Sequence, residues 1–282
     1  MTAQEALRLA IQQLTTAQCD NPRLDAEVLL MHTWNITRTQ LFTRAHDLLP
    51  DDVQQHFNTR IERRCQREPV AYITGEKEFW SRSFHVTPEV LIPRPETEHL
   101  IEALLTLYPD RQAPYQFTDI GTGSGCIAIT LACEFPNASL IATDISAPSL
   151  AIARSNAERH GVAHRIAFQQ GDLYAALHPE QKEMDAILSN PPYVALSEME
   201  TLAAELAHEP RHALTDQADG LNLLRTLLHQ APSWLKEGGY LLVETGICGL
   251  PTHPNTMILD HLFHDLAGIL RGGVYQRGKK HA

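Results

Sequence analysis

The chain is 282 residues long, 43% hydrophobic and 20% charged, with a formal charge of −11 and a pI near 5.7. That length accommodates one large domain or two ordinary ones with a real core, and the acidic balance argues against a broad electrostatic footprint on nucleic acid. A basic segment ahead of an apolar leader is missing, no apolar run approaches membrane-spanning length, and the five cysteines (19, 65, 126, 133 and 248) include no Cys-x-x-Cys pair, so secretion, membrane insertion, a disulfide framework and a zinc knuckle are not expected and a cytoplasmic protein is.

Residues 2 to about 68 read as helical. Leu7, Ile11 and Leu14 recur at helical spacing, as do Leu24, Val28 and Met31, and then Val53, Phe57 and Ile61, which predicts a small helical bundle. Asn21-Pro22 and Pro50-Asp51-Asp52 have the form of helix starts, with proline and acids placed early. Arg60, Arg63, Arg64 and Arg67 are the best candidates for a local basic patch. From Tyr72 to Ile92 the chain turns aromatic and β-branched, with Gly75 and Pro88 as punctuation, which predicts a hairpin or extended connector. Pro93-Arg94-Pro95-Glu96-Thr97-Glu98 then leads into a helix over 100–105.

From about residue 115 strand and helix patterns alternate, the signature of a parallel sheet covered on both faces. Strands are expected at 116–120, 140–143, 166–169, 185–189 and 240–244, with Gly238-Gly239 turning the chain into the last of them. Residues 197–214 form a long excursion and 222–234 a helix. The resulting division is a helical domain over 1–75, a connector over 76–95 and an α/β domain over 96–282.

Asp119-Ile120-Gly121-Thr122-Gly123-Ser124-Gly125 falls where the first parallel strand should turn into a helix. Glycines allow the tight turn and a close approach of backbone to ligand, and in doubly wound sheets nucleotides bind beyond the carboxyl ends of the strands. The third glycine follows the second by two residues rather than three, unlike the dinucleotide fingerprint, and no Lys-Ser/Thr completes a phosphate-binding loop. Asp144 ends the next strand and is placed to hydrogen-bond a ribose diol; Gly171-Asp172-Leu173 ends the third, where an adenine would lie.

Asn190-Pro191-Pro192-Tyr193 follows the apolar run 184–189. A residue before proline is held extended, and prolines bring carbonyl acceptors without N–H donors. The Asn190 side-chain oxygen and the Pro191 carbonyl can both accept from one –NH2 group, and Tyr193 offers a flat face for stacking. Such a site suits chemistry on an amide or exocyclic amine nitrogen.

The acid, glycine loop, second-strand acid and Asn-Pro-Pro-Tyr, in that order, resemble an S-adenosylmethionine-dependent methyltransferase acting on nitrogen. Gly75-Glu76-Lys77-Glu78-Phe79-Trp80, the segment 91–98 and the later Glu209-Pro210, Asp219-Gly220-Leu221 and 238–244 narrow the resemblance to the peptide chain release factor glutamine N5-methyltransferases, over most of residues 1–246. That resemblance implies a Rossmann-like methyltransferase domain, and a helical N-terminal domain that recognises class I release factors and so delivers the glutamine of their Gly-Gly-Gln loop. It implies cofactor contacts from Asp119, Gly121, Thr122, Gly123, Ser124, Gly125, Asp144, Asp172, Leu173 and Asn190. Substrate contacts would come from Asn190, Pro191, Pro192, Tyr193 and Arg94, with Asn190, Pro191 and Tyr193 at the chemistry and no metal. Asp119 is expected to shape the glycine loop or to meet the cofactor's amino group.

In the family, an amphipathic helix and two antiparallel strands follow the position of Gly246. Here Cys248-Gly249-Leu250-Pro251-Thr252-His253-Pro254 interrupts any such helix, a departure that bears on closure of the sheet edge. His208-Glu209-Pro210-Arg211-His212 spells H-E-x-x-H, but zinc binding needs an unbroken helix and Pro210 disturbs one. Two other functions compete: an adenine-N6 nucleic-acid methyltransferase, since a flipped-out exocyclic amine fits the same acceptors, and a non-catalytic release-factor binder. The acidic charge counts against the first and the intact tetrapeptide against the second.

Overall fold

A computed structural model describes residues 1–279, which fall into two compact units, one of Met1–Glu76 with Ala203–His208 and one of Lys77–Leu202 with the described residues from Glu209 onward. In the first unit, α1 (Ala3–Thr16) is started by a capping box in which the Thr2 hydroxyl accepts from the Glu5 N–H and the Glu5 carboxylate accepts from the Thr2 N–H. α2 (Pro22–Trp34) begins with proline at its first position and stops at Asn35 in the left-handed conformation. α3 (Arg38–Thr43), α4 (Asp51–Cys65) and α5 (Val70–Thr74) complete the bundle. Val53, Phe57 and Ile61 point into its core as expected.

The first two helices differ from the hydropathy pattern. α1 buries Ala3, Ala6, Ala10 and Leu14, with Leu7 and Ile11 only flanking them; α2 buries Ala26, Leu29 and Leu30 while Leu24 is 52% exposed. Alanines add little to an apolar stripe, yet they allow helices to approach closely, so bulk misassigned the inner face. The arginine run is likewise not a free basic patch. Arg60 reaches His32 and Thr33, Arg63 holds Glu68, Arg64 holds Asp25, and Arg64 and Arg67 together clasp Glu205.

The second unit takes in the hairpin of β1 (Glu76–Phe79) and β2 (Arg82–His85) from Lys77 onward, then α6 (Glu98–Leu107). The alternating region follows as β3 (Gln116–Ile120), α7 (Cys126–Glu134), β4 (Ser139–Asp144), α8 (Ala147–Arg159), β5 (Ile166–Gln170) and β6 (Met184–Ser189). α9 (Asn222–Gln230), β7 (Leu235–Glu244), β8 (Met257–His264) and β9 (Leu270–Arg277) end the chain. One seven-stranded sheet has the order β5-β4-β3-β6-β7-β9-β8, parallel through β7, with β9 and β8 antiparallel. Separate apolar clusters cover its two faces, one around Phe117, Ile129 and Phe135 and one around Ile187, Leu224 and Leu241. The fold is Rossmann-like.

Three details depart from expectation. Gly238-Gly239 lies inside β7, at a register shift between Met184 and Ala186 of β6, so the pair makes a bulge rather than a turn into the strand. A side chain on Gly239 would strike the Asp185 and Met184 carbonyls, which explains the glycine there. α9 stops at Gln230 and tightens into a 3-10 turn through Ser233, because Pro232 cannot donate to an α-helical ladder. Finally, residues 245–256 carry no helix, but the β8–β9 hairpin forms and closes the sheet against β7. Among the described residues no helix is long and apolar enough to cross a membrane.

Candidate active site

The strand order reverses between β3 and β6: β4 and β5 lie to one side, β7 to the other. Ile120 pairs with Ser189, so the glycine loop and Asn190-Pro191-Pro192-Tyr193 leave the sheet side by side at this switch point. The loop is built from the neighbouring strand: the Gly121 and Thr122 N–H groups both donate to the Thr143 carbonyl, at 2.9 and 2.8 Å. Gly121, Gly123 and Gly125 all have positive φ (76°, 53° and 84°). Their surroundings differ. A Cβ on Gly121 or Gly123 would meet open space, whereas on Gly125 it would lie 2.8 Å from Ile129 and 3.2 Å from Ala153.

A cavity of about 330 Å³ opens over this loop. Gly121, Thr122, Gly123, Ser124, Asp144, Asp172, Leu173, Asn190, Pro192 and Arg94 all line it, so ten of the residues expected from the sequence come together. Asp119, Gly125, Pro191 and Tyr193 are not part of that lining. Gly125 is instead the point of close packing between α7 and α8. Asp119 is wholly buried beneath the loop, where its Oδ2 accepts from the Thr122 hydroxyl at 2.6 Å and the Ala128 N–H at 3.2 Å. It shapes the loop, and burial pushes its carboxyl up to about 7 against those two hydrogen bonds.

Asp144 stands at the end of β4, almost buried. Its Oδ2 accepts from the Gly123 N–H and its Oδ1 from the Ser146 N–H, both at 2.9 Å. Each carboxylate oxygen keeps a second lone-pair direction for a ligand. Burial holds its pKa above the usual range, while Ser146, Gly123 and the nearby His212 pull it down. Two further polar atoms in the lining, Ser124 Oγ and Thr143 Oγ1, are buried with no protein hydrogen bond. Val90, Leu91, Ile127, Ile145, Leu173 and Leu223 supply the apolar remainder. A flat apolar body with a polar sugar and a charged tail fits this donor set.

On the β6 side, the Asn190 Nδ2 donates to the Thr97 hydroxyl at 3.0 Å, which turns the Asn190 oxygen into the end available to a ligand. Tyr193 is half-buried; its hydroxyl donates to Glu244 Oε1 at 3.0 Å and its ring packs on Gly246, where any Cβ would lie 2.6 Å away. The Cys248 thiol donates to the Tyr193 carbonyl at 3.3 Å, and Gly220 admits the same carbonyl where a side chain would clash. Burial, then the Glu244 carboxylate, raises the Tyr193 phenol well above its ordinary value, so it stays protonated. Arg94 is bound to Glu209, whose side chain is only 1% exposed and whose other oxygen accepts from the Ile92 N–H.

That engagement accounts for the H-E-x-x-H match. His208 and His212 lie in separate 3-10 turns before and after Pro210, and Glu209, between the turns, is spent on Arg94 and Ile92. Sequence reading missed Thr97, Asn156, His212 and Glu244. Asn156, fully buried, ties β2 to the glycine loop: its Nδ2 donates to the His85 and Ser124 carbonyls and its oxygen accepts from the His85 N–H. The signal for it was an amide on the apolar face of α8, beside Ala153 and Ala157. For Glu244 it was an acid closing an apolar strand, the pattern that did flag Asp144.

Comparison with known proteins follows the same division. The model of the PrmC N-terminal domain matches residues 5–75 and that of the methyltransferase small domain matches residues 97–219. A release factor glutamine methyltransferase from Neisseria gonorrhoeae is 44% identical over 80% of this chain and 81% of its own. One from Koribacter versatilis is 44% identical over 87% of each, and one from Coxiella burnetii 38% identical over 99% of this chain and 100% of its own. Among solved structures, the hMettl16 catalytic domain in complex with an RNA hairpin superposes with a TM-score of 0.54 at 15% identity, covering 82% of this chain and 84% of that one, a likeness of fold.

Proposed function

The chain belongs to the release factor glutamine methyltransferase family, and on that premise we propose that it methylates the side-chain amide nitrogen of the glutamine in the Gly-Gly-Gln loop of class I release factors. The methyl donor is S-adenosylmethionine, whose sulfonium supplies an already activated methyl group. The observation that supports the reading is Asn190, which lines the cavity beside the glycine loop and is anchored through its Nδ2 on Thr97, leaving its oxygen to act as an acceptor. Gly121, Thr122, Gly123, Ser124 and Asp144 would hold the donor's polar parts, with Asp172, Leu173 and Ile145 around its base.

An amide nitrogen is a poor nucleophile because its lone pair is delocalised, so the protein's task is alignment and polarisation. Alignment of nitrogen, methyl and sulfur is worth on the order of 7–11 kcal/mol. The Asn190 oxygen and Pro191 carbonyl accept from the substrate –NH2, and their grip tightens as positive charge builds on nitrogen. Tyr193, outside the cavity lining, supports the tetrapeptide from behind through its hydrogen bond to Glu244. The methylated, protonated amide is strongly acidic and water takes its proton, so no general base is assigned. In this proposal the helical unit docks the release factor, the protein works in the cytoplasm, and nucleic acid is not directly bound. The test is mass spectrometry of release factor incubated with protein and methyl donor: one added methyl on the loop glutamine is expected, and an unmodified glutamine would refute the assignment.

A further inference from the structure

Glu244 closes β7 next to β6, with its side chain 1% exposed and one oxygen, Oε2, buried without a well-formed hydrogen bond. Tyr193 donates to Oε1 of this carboxylate at 3.0 Å, and Oε2 is unpaired; the Thr97 hydroxyl, whose oxygen accepts from Asn190 Nδ2, lies near enough to lower the carboxyl's pKa and has its one hydrogen left to give. We propose that Glu244 is a positioning residue for methyl transfer, which through Thr97 fixes which end of the Asn190 amide faces the cavity and directly fixes the placement of Tyr193. The proposal rests on the methyltransferase reading above.

The argument is a count of protons. A hydroxyl has one hydrogen, and an ionised carboxylate only accepts. With Glu244 ionised, the Thr97 hydrogen is drawn to it, which leaves the Thr97 oxygen to accept from Asn190 Nδ2. Tyr193 donates from the other side. Every proton in the chain then points towards Glu244, and the Asn190 oxygen stays on the cavity side. A proton on Oε2 reverses this order: Glu244 donates to Thr97, Thr97 donates to Asn190, and the amide turns its –NH2 towards the substrate –NH2, donor against donor.

Burial pushes the Glu244 carboxyl up to about 7, so the reversal falls within the physiological range. The hydroxyls of Thr97 and Tyr193 and the charge of Arg271 pull it down, while Glu96 pushes it up. Arg271 is shared with Asp265 and Glu96, and Arg94 faces Tyr193. Cys126, its thiol raised to about 12 chiefly by burial, feels both Glu244 and Asp119. Burial also pushes the Asp119 carboxyl up to about 7, so it is the group from which Glu244 must be separated.

The experiment follows the Asn190 side-chain amide by NMR in the full-length, asparagine-labelled protein from mildly acid to mildly alkaline pH. Single-turnover methylation of release factor at saturating S-adenosylmethionine is measured over the same range. The wild-type signal should move with a midpoint near 7 and the rate should fall with it on the acid side. Glu244→Gln should flatten both profiles and lower the alkaline rate about a hundredfold, the scale of a misplaced reacting group. Thr97→Val should uncouple Asn190 and Thr97→Ser restore it, a pair that carries the test if the Gln variant does not fold. A wild-type Asn190 signal indifferent to pH overturns the proposal, as does an acid limb lost in Asp119→Asn but kept in Glu244→Gln. A titrating Asn190 in a protein that leaves release factor unmethylated supports the coupling and refutes the methylation reading instead.

Discussion

Alanine placed at Gly121 and at Gly125 should give opposite phenotypes. Both positions have φ in the left-handed region, +76° and +84°, so each substitution carries a backbone strain of about 1–2 kcal/mol. Both also stiffen the unfolded chain equally, a term that cancels in the comparison. At Gly125 the new methyl would lie 2.8 Å from Ile129 Cδ1 and 3.2 and 3.3 Å from Ala153 Cβ and Cα, which adds about 1–3 kcal/mol of overpacking between α7 and α8. At Gly121 nothing lies within 4 Å, but the residue lines the cavity, so the methyl enters ligand space. Gly125→Ala should therefore be the less stable by about 1–3 kcal/mol in urea. Gly121→Ala should lose at least about tenfold in S-adenosylmethionine affinity by calorimetry, about 1.4 kcal/mol. Equal stabilities, or wild-type affinity in Gly121→Ala, would refute the division of the loop into a ligand side and a packing side.

Asp144→Ala removes the acceptor for the Gly123 and Ser146 N–H groups together with the proposed ribose contact, and should weaken S-adenosylmethionine by about 1–3 kcal/mol; unchanged calorimetric affinity in the folded variant takes Asp144 out of the site. Asn190→Ala should lower single-turnover methylation by roughly two to three orders of magnitude with both ligands saturating, and near-wild-type turnover would reduce the tetrapeptide to a turn. Glu205, 18% exposed, has its carboxyl lowered to about 2, with the hydrogen bonds of Arg67 and Arg64 outweighing burial. A lowered pKa contributes stability that is present above the ordinary value and lost as pH falls towards 2. Glu205→Gln should then cost on the order of 2–3 kcal/mol in urea at neutral pH and little near pH 2, and a cost independent of pH would count against the clasp.

The parts of this molecule that were readable in the sequence are those where local chemistry and tertiary structure agree. Val53, Phe57 and Ile61 carry both the helical period and the buried face of α4. Strands β3, β4 and β6 are runs buried along most of their length, and the loops after them hold glycines and prolines that no packing argument is needed to notice. What escaped depends on partners distant in sequence. Glu205 lies 141 residues from Arg64, and Glu209 lies 115 from Arg94, so nothing local distinguishes these acids from solvated ones. Gly238-Gly239 has the composition of a turn, and only the carbonyls of Met184 and Asp185 opposite make it a bulge. In the tail, Pro251 and Pro254 exclude a helix, but proline has no bearing on whether the later strands pair. They do, through Tyr275, fully buried beside Leu241 and Leu259.

Three carboxylates end or nearly end parallel strands at this site, and only Asp144 faces the cavity. Asp119 stands behind the glycine loop and Glu244 behind the tetrapeptide, each with a hydroxyl donating to one oxygen and the other oxygen unpaired. Burying a carboxylate this way costs free energy that an amide or apolar group of the same shape would not. What the charge supplies in return is direction: an acceptor with no hydrogen of its own orders every donor around it, whereas an amide permits either orientation. Thr122 and Ala128 are ordered by Asp119, and Tyr193 by Glu244. The two loops that leave the sheet at the switch point are thus each set from behind by a group outside the cavity lining. Burial pushes both carboxyls up to about 7, away from their ordinary values, so holding either as an ordering acceptor at this site costs stability.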